Sequence, residues 1–134
     1  MANALYDPGR EGILDGTIGL NAGDVRAMLV LSSYTFSAAH KFIADMGAVD
    51  NGRTASLASK TFTSGVFDAA DTSLTATALA ASKAVAIFLN TGADATARLI
   101  TYIDTVSSGL PFTPAAGQSV TISWDNGSNR IFKL

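Results

Sequence analysis

The residues best placed to do chemistry are a single histidine, His40, and a few carboxylates close in sequence, Asp68 with Asp71 and Asp45 with Asp50 beside Asn51. An imidazole changes charge near neutral pH and is the usual general acid or base, so a hydrolase would need His40 held between a serine and an aspartate. No Gly-x-Ser-x-Gly elbow is present, and there is no cysteine, which removes thiolate nucleophiles and thiolate metal sites. His40, next to the apolar pair Phe42-Ile43, is therefore read as structural. Carboxylates bind a hard cation when their spacing wraps oxygens around it. Neither acidic group has the spacing of an EF-hand loop, and both are read as solvated turns. Gly9-Arg10-Glu11-Gly12 and Gly16-Thr17-Ile18-Gly19 lack the strand-to-helix setting and the Gly-Lys-Ser/Thr of a phosphate-cradling loop. Asn126-Gly127-Ser128 has the order of a glycosylation sequon but reads as a turn. These readings imply no enzyme, no metal and no cofactor.

Charge and composition point the same way. The net charge of −2 comes from 9 basic and 11 acidic residues, with the cations scattered, so a phosphate backbone has little to hold on to and nucleic acid is not expected as a partner. Hydrophobic residues make up 48% of 134, enough for one core and too short for two ordinary domains, so a single domain over 1–134 is expected. A mean hydropathy of +0.29 is high for a small chain with 15% charged residues, yet no apolar run approaches the ~18 residues of a membrane span. No membrane is expected, and part of the apolar surface is assigned to contacts with other molecules. The opening residues carry no cationic leader or apolar h-region, so synthesis in a cytoplasm is expected.

The elements that would carry these residues are mostly strands. Asp7 as cap, Pro8 at the first helical position and Gly16 past the end predict a short helix over 8–15. A start near Ala2 is the alternative, which would put Pro8 inside the helix. Val25 to Leu31 is almost continuously apolar, the pattern of a central strand covered on both faces. Phe42, Ile43 and Met46 fall at helical spacing, with Ser37 as a possible cap and Gly47 as a stop. Beyond Asn51-Gly52, short Thr-, Ser-, Val- and Phe-rich segments predict strands at 53–59, 60–63, 65–68, 73–78, 84–89, 98–104, 119–124 and 130–134. Turns are expected at Ser64-Gly65, Asn90-Thr91-Gly92 and Asp125-Asn126-Gly127, and a loop over 113–118. In 98–104, Leu99, Thr101 and Ile103 should face one way and Ile100, Tyr102 and Asp104 the other. In 119–124, Val120, Ile122 and Trp124 should alternate with wet Thr121 and Ser123. The last two segments are expected to pair as a hairpin around Asp125-Asn126-Gly127-Ser128. The aromatic residues spread along these strands are read as core. The fold class is a mainly β, antiparallel β-sandwich, jelly-roll-like or immunoglobulin-like, with a short N-terminal helix and one further short helix.

Several segments in order carry a resemblance. They are Ala2-Asn3-Ala4-Leu5-Tyr6-Asp7 with Arg10-Glu11 and Ile13-Leu14-Asp15-Gly16, the strand from Val25 to Leu31, Gly65-Val66-Phe67-Asp68-Ala69-Ala70-Asp71, and Ala84-Val85-Ala86-Ile87-Phe88 leading to Asn90-Thr91-Gly92. Arg98-Leu99-Ile100-Thr101-Tyr102-Ile103-Asp104, Gly109-Leu110-Pro111 and the ending Ile122-Ser123-Trp124-Asp125-Asn126-Gly127 with Ile131-Phe132-Lys133-Leu134 follow. Through most of its length the chain resembles a family of small structural proteins of tailed-bacteriophage particles, departing from it at Pro8 and Gly19-Leu20-Asn21. The resemblance implies a virion component without catalytic residues. Within that frame the leading expectation is a capsid cement or decoration subunit. It would be homo-oligomeric, bound to the major capsid protein or another virion protein, and located in the virion. A tail, neck or fibre-associated module and a carbohydrate-binding module are the alternatives, and an assembly helper that leaves before maturation is a further one. Leu5, Tyr6, Ile131, Phe132 and Leu134 are the expected contact residues, since 130–134 could lie at a sheet border.

Overall fold

A computed structural model describes residues 3–134. Its frame is a five-stranded antiparallel sheet in the order β1-β7-β6-β2-β3. The strands are β1 (Ala4–Leu5), β2 (Val25–Leu31), β3 (Asp50–Arg53), β6 (Ser82–Leu89) and β7 (Arg98–Ile103). Two short ribbons complete the β structure: β4 (Val66–Phe67) pairs with β9 (Phe132–Lys133), and β5 (Thr72–Thr75) pairs with β8 (Ser119–Ile122). Among the described residues the α-helices are α1 (Asp7–Asp15) and the single turn α2 (Ile43–Met46). The class is the expected one: mainly β, antiparallel and sandwich-like, with two short helices.

The centre of the sheet explains the hydropathy. Along β2, Met28 and Val30 enter one apolar cluster while Val25, Ala27 and Leu29 enter another on the opposite face; along β6, Ala84, Ala86 and Phe88 are divided in the same way from Val85 and Ile87. A sheet covered on both faces needs apolar side chains at consecutive positions, which is why these strands read as runs. The first cluster is closed by Tyr6, Tyr34, Ile43, Met46 and Val49, and the second by Leu57, Phe67, Leu74, Trp124 and Phe132. Much of the apolar content is thus used within the chain. Among the described residues the large exposed hydrophobics are Leu14, Phe62, Leu79, Val106 and Leu134, fewer than the hydropathy suggested.

Helix α1 lies on β7 because Gly9 lets it: a Cβ there would sit 2.7 Å from the Leu99 carbonyl oxygen and 2.9 Å from that of Ile100. The helix begins at Asp7, with Tyr6 as its cap and Pro8 in the first turn, and Gly16 ends it in the left-handed conformation, φ 83°. The start near Ala2 falls outside the described residues, and Ala4–Leu5, which such a helix would cross, is strand. Helix α2 is capped differently from expectation. Ser37 is not its cap; the Asp45 carboxylate reaches back to accept from the Lys41 and Phe42 N–H groups at 2.9 and 2.8 Å, and Gly47 ends the turn as expected.

Several expected strands move. Asn51 and Gly52 form part of β3, so the strand occupies Asp50–Arg53 instead of 53–59. The expected strand 60–63 reduces to one bridge, Thr61 to Asp68, followed by a tight turn at Thr63–Gly65 in which Ser64 and Gly65 both have positive φ. Segments 65–68, 73–78, 84–89, 98–104, 119–124 and 130–134 survive with shifted or shorter bounds. The final hairpin does not form. β8 pairs with β5 and β9 with β4, because the Trp124 N–H donates to the Asp71 carboxylate at 3.0 Å and its indole N–H to the Ala70 carbonyl at 3.1 Å. Those bonds hold the end of β8 beside β5, while the Ile131 N–H bonds to Phe67. In β7 the two-face alternation fails at one residue. Ile87 pairs with Thr101 but Phe88 with Leu99, so Ile100 is an extra residue, a β-bulge. Leu99 and Tyr102 therefore share one face, and Ile100 and Ile103 the other. In 119–124 the alternation holds: Val120, Ile122 and Trp124 turn inward and Thr121 and Ser123 are exposed.

Candidate functional site

The two layers do not close along the β1 border. There an open groove of about 990 Å³ runs between the edge of the sheet and the ribbons. Leu5, Val85 and Ile103 form its wall on the sheet side, and Ile122, Trp124, Ile131 and Phe132 on the ribbon side. Its exposed rim carries Arg10, Arg130 and Lys133 against one carboxylate, Asp125. Two of these cations lie against further carboxylates, Arg10 3.8 Å from Asp7 and Arg130 3.9 Å from Asp68, so the charges at the rim are balanced, and pairs this exposed add at most about 1 kcal/mol each to stability.

The groove brings together Leu5, Ile131 and Phe132 from opposite ends of the chain, three of the five contact residues expected from sequence. Leu5 and Ile131 are half-buried and Phe132 is 8% exposed, its ring 5.3 Å from that of Phe67. Tyr6 is fully buried on the other face. Leu134 is 58% exposed, outside the groove, with its N–H bonded to the Gly65 carbonyl at 3.0 Å. The rim cations were not singled out in the sequence; their only signal there is basic residues near both chain ends, which means nothing until the ends meet.

Apart from Asp68, which lies beside Arg130 at the groove rim, the chemically suggestive residues are engaged elsewhere. The Tyr34 hydroxyl lies 2.8 Å from His40 Nδ1 and 3.1 Å from the Tyr6 hydroxyl, forming a polar thread from a half-exposed imidazole into the first cluster. Burial, and then the bond with Tyr34, holds the Tyr6 phenol far above its ordinary range; burial also pushes Tyr102 up to about 12. Asp71 holds Trp124, Asp45 caps α2, and Asp50 accepts from the Arg53 guanidinium at 2.6 Å and the Gly52 N–H at 2.7 Å. Asn51 is fully buried: its amide donates to Ser82 and its oxygen accepts from the Thr77 and Ala78 N–H groups. Among the described residues no three metal-ligating side chains gather, and no helix is long and apolar enough to cross a membrane.

Three carboxylates outside the groove set an acid limit on the fold. The Arg26 guanidinium beside Asp24 lowers its carboxyl to about 2, the Phe42 and Lys41 N–H groups lower Asp45, and Arg53 lowers Asp94. Each gives up its proton more readily in the folded chain than in the unfolded one. The stabilisation is complete above the ordinary aspartate value of about 3.9 and is lost as pH falls through the folded value. The melting temperature should therefore hold between pH 5 and 7 and fall from about pH 4 toward pH 2. Asp24→Asn should flatten part of that fall while costing on the order of 1 kcal/mol at pH 7, solvent screening included. Thermal melts across pH check both.

Comparison of the chain with protein-family models, with curated proteins and with solved structures finds no match.

Proposed function

We propose that the chain is a structural subunit of a tailed-bacteriophage particle, a cement or decoration protein that stabilises the head shell through protein–protein contacts. The sequence resemblance supports the particle assignment. The observation that carries the contact role is the open groove, where residues from both chain ends line an apolar trough beside an unfinished sheet edge. A sheet border with unpaired backbone groups and apolar walls is a template for another chain. The major capsid protein is the partner this reading names, with copies of the subunit arranged by the symmetry of the lattice.

The mechanism is mass action. A subunit that binds the assembled shell and not free coat protein stabilises the shell by its binding free energy. Modest contacts suffice, because linked sites on a lattice raise the effective concentration of each one.

Purified particles should contain the chain in many copies by quantitative mass spectrometry, and gold-labelled antibody should mark the head. Particles lacking the chain would overturn the proposal, labelling confined to the tail would replace a head role with a tail or neck role, and stripping the protein should lower the temperature at which heads release DNA.

A further inference from the structure

We infer that Asn126 is a self-modifying position: its side-chain amide cyclises onto the Gly127 nitrogen and becomes a carboxylate, with the Arg130 guanidinium stabilising the charge that forms, while the fold protects the second such pair, Asn51-Gly52. This goes beyond the shell-binding proposal and does not depend on it.

The chain holds two Asn-Gly pairs. A glycine after asparagine offers its backbone nitrogen to the asparagine Cγ with no side chain in the way. The nitrogen gives its proton to a solvent base and attacks Cγ, which places a negative charge on Oδ1. Collapse expels the side-chain nitrogen as ammonia and leaves a five-membered imide. Water then opens the ring. Cleavage at Cγ gives aspartate, and cleavage at the backbone carbonyl gives isoaspartate, in which the chain runs through Cγ. One water is taken up and one ammonia lost, with no oxidant or cofactor.

Geometry separates the two pairs. Asn126 and Gly127 are exposed in the loop between β8 and β9, and among the described residues the Gly127 N–H has no hydrogen-bond partner. Asn126 Oδ1 accepts from Arg130 Nη1 at 3.1 Å, so a cation already lies where the oxyanion forms. A charged donor held at developing negative charge lowers the barrier.

Asn51 has the same neighbour and the opposite setting. It is fully buried. Its Nδ2 donates to the Ser82 hydroxyl at 3.0 Å, and its Oδ1 accepts from the Thr77 and Ala78 N–H groups at 3.2 and 2.9 Å. The Gly52 N–H is held by the Asp50 carboxylate at 2.7 Å. Donors at Oδ1 do not help there, because the amide cannot turn toward the Gly52 nitrogen without breaking these bonds. The consequence at Asn126 reaches the groove, which that residue lines. Conversion adds a carboxylate to a rim whose charges are balanced, so that rim turns acidic as the protein ages.

The full chain, folded or in urea, is incubated at mildly alkaline pH in heavy-oxygen water and digested, and the peptides carrying Asn126 and Asn51 are followed by mass spectrometry. In the folded chain Asn126 should take up heavy oxygen at least tenfold faster than Asn51, and in urea the two rates should converge. Arg130→Gln should slow the folded Asn126 at least threefold and leave its rate in urea unchanged, while Arg130→Lys, which keeps the charge, should retain most of the parent rate. An Asn126 that stays intact in the folded chain while the chain in urea converts would overturn the inference. So would an Asn51 that keeps pace with Asn126 in the folded chain. An equal or faster rate in Arg130→Gln would overturn the role given to the guanidinium.

Discussion

Gly52→Ala should destabilise the chain by about 3–5 kcal/mol, lowering the melting temperature by roughly 10–20 °C. Two costs combine at this position. Gly52 has φ +118°, far from any conformation open to a side-chain-bearing residue, and a Cβ there would lie 2.4 Å from the Thr75 carbonyl oxygen. That oxygen belongs to β5 and cannot move without disturbing the β5–β8 ribbon. Gly16→Ala separates the costs. Gly16 has φ +83° with nothing within 4 Å of the added carbon, so only the left-handed conformation is penalised, at about 1 kcal/mol. Equal melting temperatures for the two variants would mean that the approach of β5 to β3 is not a constraint on the fold.

Gly52 also illustrates why parts of the fold stay hidden in the sequence. Asn51-Gly52 has the composition of a turn, and the preceding residues give no sign of a strand. It is drawn into β3 by tertiary contacts: the Asn51 side chain bonds Ser82, Thr77 and Ala78, residues 26 to 31 positions away. Local propensity cannot register partners that far along the chain. The strand Val25–Leu31 was legible for the opposite reason, since burial on both faces writes itself into consecutive residues. The same two-sided burial hid the bulge in β7: when both faces are apolar, inserting Ile100 changes which residues face which cluster without changing the pattern of residue types. In β8, where one face is wet, the alternation could be read directly. The hairpin expected at Asp125-Asn126-Gly127 rested on turn composition. A tight type I′ turn needs positive φ at both central residues, and here the positive value is at Arg130, φ 49°.

The groove itself is not legible in the sequence. Leu5, Ile131 and Phe132, expected as contact residues, line it together, but no local pattern says that the two chain ends meet or which side chains face outward. Tyr6 went to the opposite cluster because it follows Leu5 by one residue in extended chain, and neighbours in a strand point to opposite faces. The Arg10 contribution depends on α1 folding back over β7, which Gly9 makes possible.

At the C-terminal end, fold and contact can be separated by single substitutions. Phe132 packs between the ribbon and the sheet, 8% exposed and in ring contact with Phe67, which in turn stacks on Phe62 at 5.5 Å. Phe132→Ala removes a large buried side chain, and because β9 is held to β4 across only two residues, the ribbon has little else to keep it in place. A loss of about 3–4 kcal/mol is expected, with a melting temperature lower by roughly 10–15 °C. Removing 131–134 altogether should cost at least as much, since it also leaves β4 without a partner. Leu134, 58% exposed, should behave differently: Leu134→Ser keeps the backbone bond to Gly65 and should melt within about 1 °C of the parent. Any loss of particle binding in that variant would then be a contact effect, whereas the same loss in Phe132→Ala would not distinguish contact from folding. Parent-like melting of Phe132→Ala would show that the β4–β9 ribbon stands apart from the core, and the apolar wall it lends to the groove would then lose its support.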